Sequence, residues 1–283
     1  MGVDEGLQRL SVRDMELEFR DRGDGEPLLL VHAGVFADWF VPVSTSLALD
    51  GFRVLRVRRP GYGLTPPTRH LTVADHGRAV AALADHLALP KIHSVGHSSS
   101  CQMGLQLAID RPDLVHSLIL LEPAPTGGLR APASEVLVRQ FVGPAAEAFA
   151  RGDVETAFDT FMRGVGGDSY RAVIEGGLGR AGYERAVHDA SFFFSDEMRA
   201  VLDWQFGAAE ANRIRQPALI VEGGEQPAHL GPMSRQITEL AAGLLPNSEV
   251  VIIPGVNHLM PLQDPYAVSR VIATFARQHP IAQ

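Results

Sequence analysis

The 283-residue sequence predicts an α/β fold built on a mostly parallel sheet that helices cover on both faces. Short apolar runs, typical of buried strands, alternate with segments whose apolar residues recur at helical spacing. In addition, His32, Ser98 and Glu122 each stand directly after such an apolar run. Because the carboxyl ends of parallel strands meet at one edge of a sheet, we expect these three residues to lie close together.

The first half of the chain contains most of the expected strands and two of the expected helices. Thr72, with Asp75 three residues later, is typical of a helix start, and Pro90 ends that segment. A second helix is expected over residues 99–109, after Ser98. The strand candidates are residues 7–13, 15–19, 28–31 and 52–57, a short run that begins at residue 92, and residues 115–121.

The alternation of strands and helices stops after residue 121 and resumes only at the strand candidate 218–221. This interval is far longer than an ordinary crossover, so it predicts an insertion. Two apolar sets within it fit helices; they are Val154, Ala157, Phe158, Phe161, Met162 and Val165, and Phe192, Phe193, Phe194, Met198, Val201, Trp204 and Phe206. We therefore expect residues 127–211 to form a helical cap domain inserted into a core domain of residues 1–126 and 212–283.

The remainder of the chain completes the predicted core. After the strand candidate 218–221 we expect a helix near residues 233–245 and a last strand over residues 250–253. The final helix is indicated by Val268, Val271, Ile272 and Phe275, which recur at helical spacing.

Composition and charge narrow the function classes. The net charge of −8 argues against a general affinity for nucleic acid or for an anionic membrane. The single cysteine, Cys101, excludes an internal disulfide and a cysteine-built zinc site. The acidic first residues are unlike a signal peptide and no apolar run is long enough to span a membrane, so we expect a cytoplasmic protein. A homodimer is compatible with the sequence.

The run Gly96-His97-Ser98-Ser99-Ser100 contains the candidate nucleophile. A strand that reverses sharply into a helix leaves its central hydroxyl, that of Ser98, exposed on the turn, with small residues on both sides. Taken alone, a serine in such a turn is more often a helix cap. The other stretches described below, found in the appropriate order along the chain, favour the nucleophile.

Three further residues supply the candidate base and the candidate oxyanion donors. His258 lies in the loop after the last strand, where the base falls in the chain order serine, acid, histidine. The backbone N–H groups of Gly34 and Ser99 are the candidate oxyanion donors, each typically worth ~3 kcal/mol of transition-state stabilisation. We expect His32 to be structural. His93 and His97 span a strand and a turn rather than a helix, so no metal site is expected.

Several motifs taken together resemble those of the α/β-hydrolase fold family. They are His32-Ala33-Gly34, Arg59-Pro60-Gly61-Tyr62-Gly63, Gly96-His97-Ser98-Ser99-Ser100 and Gly255-Val256-Asn257-His258. The resemblance covers the whole chain except the cap, and it implies a mostly parallel eight-stranded sheet flanked by helices, a serine triad and no cofactor. Ser100 replaces the usual glycine, and Arg58 stands where many members carry Asp. Tyr62 either packs on the serine turn or closes its own loop.

The acid of the triad departs from the common pattern. Many members carry it three residues after the glycine that corresponds to Gly223, where this sequence has Gln226. Haloalkane dehalogenases and zearalenone-type lactonases take their acid from the position of Glu122, and the serine nucleophile makes this chain more similar to the lactonases. We therefore favour Glu122 as the acid, with Glu225 as the second candidate and Glu222 as the third.

The predicted reaction is transfer of an acyl group to water through Ser98. An apolar cap indicates a mainly apolar, medium-sized ester or lactone as the small-molecule substrate, and no cofactor is needed. Val35, His97, Phe193 and Trp204 are expected to line its pocket. Two alternatives stay open: carbon–carbon bond hydrolysis or cofactor-free lyase or oxygenase chemistry on the same machinery, and a ligand-binding module without catalysis.

Overall fold

A computed structural model describes residues 6–63, 69–125 and 132–282. One eight-stranded sheet forms its centre, in the order β1-β2-β4-β3-β5-β6-β7-β8. β1 and β2, and β2 and β4, pair antiparallel, and all other neighbours are parallel, which confirms the predicted architecture. The strands are β1 Gln8–Val12, β2 Met15–Arg22, β3 Glu26–Val31, β4 Phe52–Arg58, β5 Ile92–His97, β6 Val115–Leu121, β7 Ala218–Gly223 and β8 Ser248–Ile253.

Side chains of the central strands alternate between two apolar cores, one on each face of the sheet. In β3, Leu29 and Val31 join one cluster, whereas Leu28 and Leu30 join the other. Successive residues of a strand point to opposite faces, so a strand buried on both faces must be apolar throughout. This requirement explains why the central strands appear in the sequence as continuous apolar runs.

Helices cover both faces. The helix that Thr72 and Asp75 predict begins with a complete capping box, in which each side chain accepts a hydrogen bond from the other residue's backbone N–H. The helices are α1 Val41–Ser44, α2 Val73–His86, α3 Ser99–Asp110, α4 Ser134–Leu137, α5 Gly143–Ala150, α6 Val154–Gly166, α7 Tyr170–Phe192, α8 Met198–Asp203, α9 Ala208–Ala211, α10 Gly231–Leu244, α11 Met260–Gln263 and α12 Pro265–Gln278. Short 3-10 segments occupy Asp38–Phe40 and Leu47–Leu49, and wider π-helical turns occupy Val138–Val142 and Phe193–Glu197.

The described residues between β6 and β7 form only helical segments, and we call residues 132–211 the helical insertion. Its apolar residues pack on the main core, and two of its acidic and basic side chains reach the loop after β3. Asp189 accepts a hydrogen bond from the Ala37 N–H at 3.0 Å, and Arg185 pairs with Asp38 at 3.2 Å. The expected first residue of the cap, 127, lies outside the described residues.

Arg58, at the position where many relatives carry Asp, belongs to a buried charge cluster at the end of β4. Its guanidinium donates to Glu18 at 2.8 Å and to Asp38 at 3.3 Å. A buried cation needs such partners, because an uncompensated charge inside a protein costs several kcal/mol. Glu18 and Asp38 supply that compensation for Arg58.

Candidate active site

Ser98 occupies the sharp turn between β5 and α3 that the sequence predicts. Its backbone has φ 54° and ψ −119°, in the left-handed region that L-residues rarely adopt. The Ser98 N–H donates to the Leu121 carbonyl at 2.9 Å, which ties the turn to the end of β6. Strained backbone of this kind persists only where the surrounding structure enforces it, and it is concentrated at functional sites.

Small residues on each side of Ser98 allow β5 and α3 to approach closely. A Cβ added at Gly96 would lie 2.6 Å from the Ser100 carbonyl oxygen, which is too close for any other residue type. Ser100 is fully buried, and its hydroxyl donates to the Val31 carbonyl at 2.6 Å and accepts from the His97 N–H at 2.8 Å. The departure from glycine at Ser100 therefore gives two hydrogen bonds that glycine cannot make.

Glu122 follows β6 directly, and its carboxylate is held by several donors. Its Oε1 accepts from the Gly223 N–H at 2.6 Å and from Nε2 of Gln226 at 2.7 Å, and its Oε2 accepts from the Ser234 hydroxyl at 3.2 Å. The same Oε2 lies 3.5 Å from Nδ1 of His258. This last distance is at the long limit of a hydrogen bond.

The two other acid candidates lie elsewhere. Glu222 faces Arg235 at 3.9 Å, and burial together with the nearby charge of Glu122 raises its pKa. The Glu225 N–H donates to the Val256 carbonyl at 2.9 Å, and its side chain borders a separate surface pocket. Within the described ranges, neither carboxylate makes a hydrogen bond or an ion pair with His258.

His258 is held by its neighbour His97. Nε2 of His97 donates to the His258 carbonyl at 2.9 Å, and the two rings lie 4.9 Å apart. Burial, and then the neighbouring His258, hold the pKa of His97 well below its ordinary value, so His97 is neutral. His97 also packs edge-on against Trp39 at 4.8 Å. It therefore supports the site from behind and is absent from the pocket lining, contrary to the expectation from the sequence.

The loop after β3 places Gly34 beside Ser98. Its shape is fixed by His32, whose Nε2 accepts from the Arg59 N–H at 3.0 Å, and by Trp39, whose indole donates to the Gly34 carbonyl at 2.9 Å. Burial, and then the charge of Arg59, hold the pKa of His32 well below its usual range, so its ring stays a neutral acceptor. The structural role expected for His32 agrees with these contacts.

The candidate catalytic and oxyanion residues border one cavity of about 110 Å³. Ser98, Ser99, Gly34, Glu122 and His258 all line it, and the rest of its wall is almost entirely apolar. The further lining residues are Ala33, Val35, Trp39, Pro123, Ala124, Pro125, Leu137, Val138, Val142, Phe161, Val165, Phe193, Met198, Val201, Leu202, Leu230, Met233, Ser234 and Ile237.

Two of the four expected pocket residues, Val35 and Phe193, belong to this lining. Trp204 does not: its indole donates to Oε1 of Gln106 on α3 at 2.9 Å and its ring stacks on Phe206. The apolar pattern of the sequence indicated that Trp204 is buried, but it did not indicate which surface Trp204 packs against. Its partner on α3 places it at the contact between the helical insertion and the core, away from the cavity.

The sequence analysis missed Glu197, a fully buried carboxylate of the helical insertion. It pairs with Arg59 at 3.0 Å, and it accepts hydrogen bonds from the hydroxyls of Ser99 and Tyr62. Tyr62 thus contacts the helical insertion rather than only its own loop. A signal was available, because Glu197 is spaced four residues from both Phe193 and Val201, on the apolar side of the helical pattern.

No group of three or more His, Cys, Asp or Glu side chains within residues 6–63, 69–125 and 132–282 is arranged to hold a metal ion. None of the helices in these ranges combines the length and the apolar character that crossing a bilayer requires.

The fold and the grouping of a turn serine, a histidine and a carboxylate at the ends of parallel strands define an α/β hydrolase. The chain belongs to the alpha/beta hydrolase family, whose model matches residues 28–271.

The individual relatives and solved structures that match this chain are only distantly similar to it. A proposed carbamate hydrolase, RutD, of Variovorax paradoxus is 34% identical over 110 residues, which cover 38% of this chain and 41% of that protein. An acetyltransferase component of the acetoin cleaving system of Pseudomonas putida is 27% identical over 90% of this chain and 64% of its own. The chain thus spans less than two thirds of these relatives. The enol-lactonase of Burkholderia xenovorans LB400 superimposes with a TM-score of 0.77 at 20% identity, covering 95% of this chain and 100% of that one.

Proposed function

We propose that the protein is a serine hydrolase that cleaves a carboxylic ester or lactone of a mainly apolar small molecule through an acyl-enzyme on Ser98. The observation that carries this proposal is the strained turn at Ser98, which opens onto the same cavity as His258 and Glu122. A hydroxyl, an imidazole and a carboxylate in this order are the elements of nucleophilic acyl transfer.

In the proposed mechanism, the Ser98 hydroxyl attacks the substrate carbonyl carbon while His258 accepts the hydroxyl proton. Glu122 stabilises the resulting imidazolium, and the N–H groups of Gly34 and Ser99 hold the oxyanion. His258 then gives the proton to the leaving alcohol, which leaves an acyl-enzyme. A water molecule then attacks the acyl carbon while His258 accepts its proton. His258 returns that proton to the departing Ser98 oxygen, which releases the carboxylic acid and restores the free hydroxyl.

The cavity supports an apolar substrate with a small acyl group. No Lys or Arg side chain lines it, so its wall offers no permanent positive charge to balance an anionic substrate. Its volume of about 110 Å³ is smaller than that of a cavity of about 150 Å³ which accepts benzene. Residues of the helical insertion form much of the wall, so we assign the insertion the role of a cap that sets substrate size.

The experiment is a comparison of wild type and Ser98→Ala on p-nitrophenyl acetate, butyrate and octanoate and on a small lactone. We expect wild type to prefer the two short esters over octanoate, and we expect Ser98→Ala to lose turnover. A fluorophosphonate probe should add one mass increment to wild type, on the peptide that contains Ser98, and none to the variant.

Other outcomes would point to other functions. Ester turnover that survives in Ser98→Ala would contradict an acyl-enzyme on Ser98. Fluorophosphonate labelling of Ser98 without turnover of any ester or lactone would favour carbon–carbon bond cleavage or cofactor-free lyase or oxygenase chemistry on the same scaffold. Absence of turnover and of the fluorophosphonate adduct, with ligand affinity unchanged by Ser98→Ala, would indicate a binding module. A preference for octanoate would contradict the substrate size inferred from the cavity.

A further inference from the structure

Glu197, in the helical insertion, has a fully buried carboxylate that lies behind the proposed oxyanion site. Both of its oxygens lie 3.0 Å from Nη2 of Arg59, and Oε1 also accepts from the Ser99 hydroxyl at 2.6 Å. Tyr62 donates its hydroxyl to Oε2. Burial by itself would raise the pKa of Glu197, but Arg59 and the other partners outweigh it and hold that pKa below its ordinary value.

Arg59 connects this carboxylate to the other half of the site. Its Nε donates to the His32 carbonyl at 3.1 Å, and its Nη2 donates to the Ala33 carbonyl at 3.0 Å. These two carbonyls immediately precede Gly34. A single ion pair therefore links the backbone segment of Gly34 with the side chain of Ser99, although the two segments come from different strands.

Steric contact supports the same arrangement. A Cβ added at Gly34 would lie 2.7 Å from the Phe193 ring and 3.2 Å from Oε1 of Glu197. The segment Phe193–Glu197 thus lies directly against Gly34, and only glycine fits between the segment and the cavity.

We propose that Glu197 is a positioning residue that holds Gly34 and Ser99 so that their N–H groups converge on one point. This inference rests on the proposed function. Oxyanion donors act through preorganisation, so a small displacement of either segment weakens them. A lone carboxylate at this place would repel an oxyanion, but its pairing with Arg59 neutralises the charge while the geometric constraint remains.

The primary test is Ser99→Ala, which removes the hydroxyl and keeps the backbone N–H and the Glu197–Arg59 pair. A second variant is Glu197→Gln. The matched control is Asp196→Asn, because Asp196 is the adjacent carboxylate of the insertion and contacts the exposed His70 instead of Ser99. For each variant we measure kcat and KM on p-nitrophenyl butyrate. We also measure the dissociation constant of butylboronic acid, which forms an anionic tetrahedral adduct on Ser98 and carries a short alkyl group.

We expect Ser99→Ala to lower kcat about ten- to hundredfold, somewhat less than removing a donor outright, with KM little changed. Butylboronic acid should bind more weakly by a similar factor, whereas a merely structural role would lower thermal stability and leave both quantities unchanged below the unfolding transition. Asp196→Asn should match wild type. Glu197→Gln should show at least the loss seen in Ser99→Ala.

Wild-type kcat and boronate affinity in Ser99→Ala would overturn the proposal, and this result decides the question even if Glu197→Gln does not fold. If Ser99→Ala behaves like wild type, loss of turnover in Ser98→Ala would still leave the proposed function intact. Absence of both turnover and fluorophosphonate labelling in wild type would instead overturn the proposed function and this inference with it.

Discussion

Gln226 donates a hydrogen bond from its side-chain amide to the Glu122 carboxylate, across 2.7 Å. Gln226 stands at the position where many α/β hydrolases carry the acid of their triad. An amide cannot balance an imidazolium, but it can hold a carboxylate that arrives from another strand. In the proposed triad, the acid Glu122 therefore lies at the end of β6, and the amide that supports it lies after β7.

The first prediction concerns the identity of the acid. Glu122→Gln should lower kcat roughly 10³–10⁴-fold, because the neutral amide no longer stabilises the His258 imidazolium or fixes its tautomer. Glu225→Gln is the matched control and should retain activity close to wild type. Side-by-side assays on the best ester substrate decide the matter, and equal activity in the two variants would remove Glu122 from the triad.

The second prediction concerns Gln226. In Gln226→Glu two carboxylates lie within hydrogen-bonding distance, so the pKa of one of them must rise. Activity requires ionised Glu122, so the acid limb of the pH profile of kcat should move to higher pH by about one unit or more. Gln226→Met removes the hydrogen bond without adding charge and should shift the limb less. Superimposable profiles for these two variants would argue against electrostatic coupling to Glu122.

The third prediction concerns stability at the serine turn. Ser100→Ala should lower the free energy of unfolding by about 1–3 kcal/mol, because it leaves the buried Val31 carbonyl and His97 N–H without their partner. Ser195→Ala, at an exposed serine, should change it by no more than about 0.5 kcal/mol. Urea unfolding at neutral pH measures both. Equal effects for the two variants would show that the Ser100 hydroxyl adds nothing beyond side-chain volume.

The fourth prediction concerns acid stability. His76 is fully buried, and neither ring nitrogen has a hydrogen-bond partner in the described structure. Burial, and then the charge of Arg59, lower its pKa to about 3, against opposing effects of Glu197 and Asp75. The unfolded chain therefore takes up a proton at His76 first. The free energy of unfolding is therefore unaffected by His76 above about pH 6.5, and it decreases as the pH falls toward 3.

His76→Leu removes this titration. Its free energy of unfolding should be close to that of wild type at pH 8. Below about pH 6.5 the difference in favour of the variant should grow by up to about 1.4 kcal/mol per pH unit. Urea unfolding at several pH values between 8 and 5 provides the measurement. A difference that stays constant with pH would mean that folding does not shift the pKa of His76.

The sequence predicted the features that depend on local pattern. The apolar runs of β3 and β6, the Thr72–Asp75 capping box and the turn at Ser98 are all specified by residues close together in the chain. The strand ends then bring Ser98, Glu122 and His258 to one cavity without further information, because parallel strands end at one edge.

Features that depend on how the helical insertion docks could not be predicted in this way. Glu197 and Arg59 are separated by 138 positions, and their pairing depends on the orientation of two bodies that no local pattern encodes. The position of Trp204 against Gln106 is of the same kind. Hydrophobic periodicity identifies which face of a helix is buried, but it does not identify the surface that buries it.

The ion pair between Glu197 and Arg59 also limits how substrate range can be redesigned in this scaffold. Replacing the helical insertion with that of a relative would change the pocket wall, but a graft without an acid at this register would leave Arg59 buried and uncompensated, at a cost of several kcal/mol. Insertion and core are therefore not independent modules, and a successful chimera must transfer the carboxylate together with the new pocket.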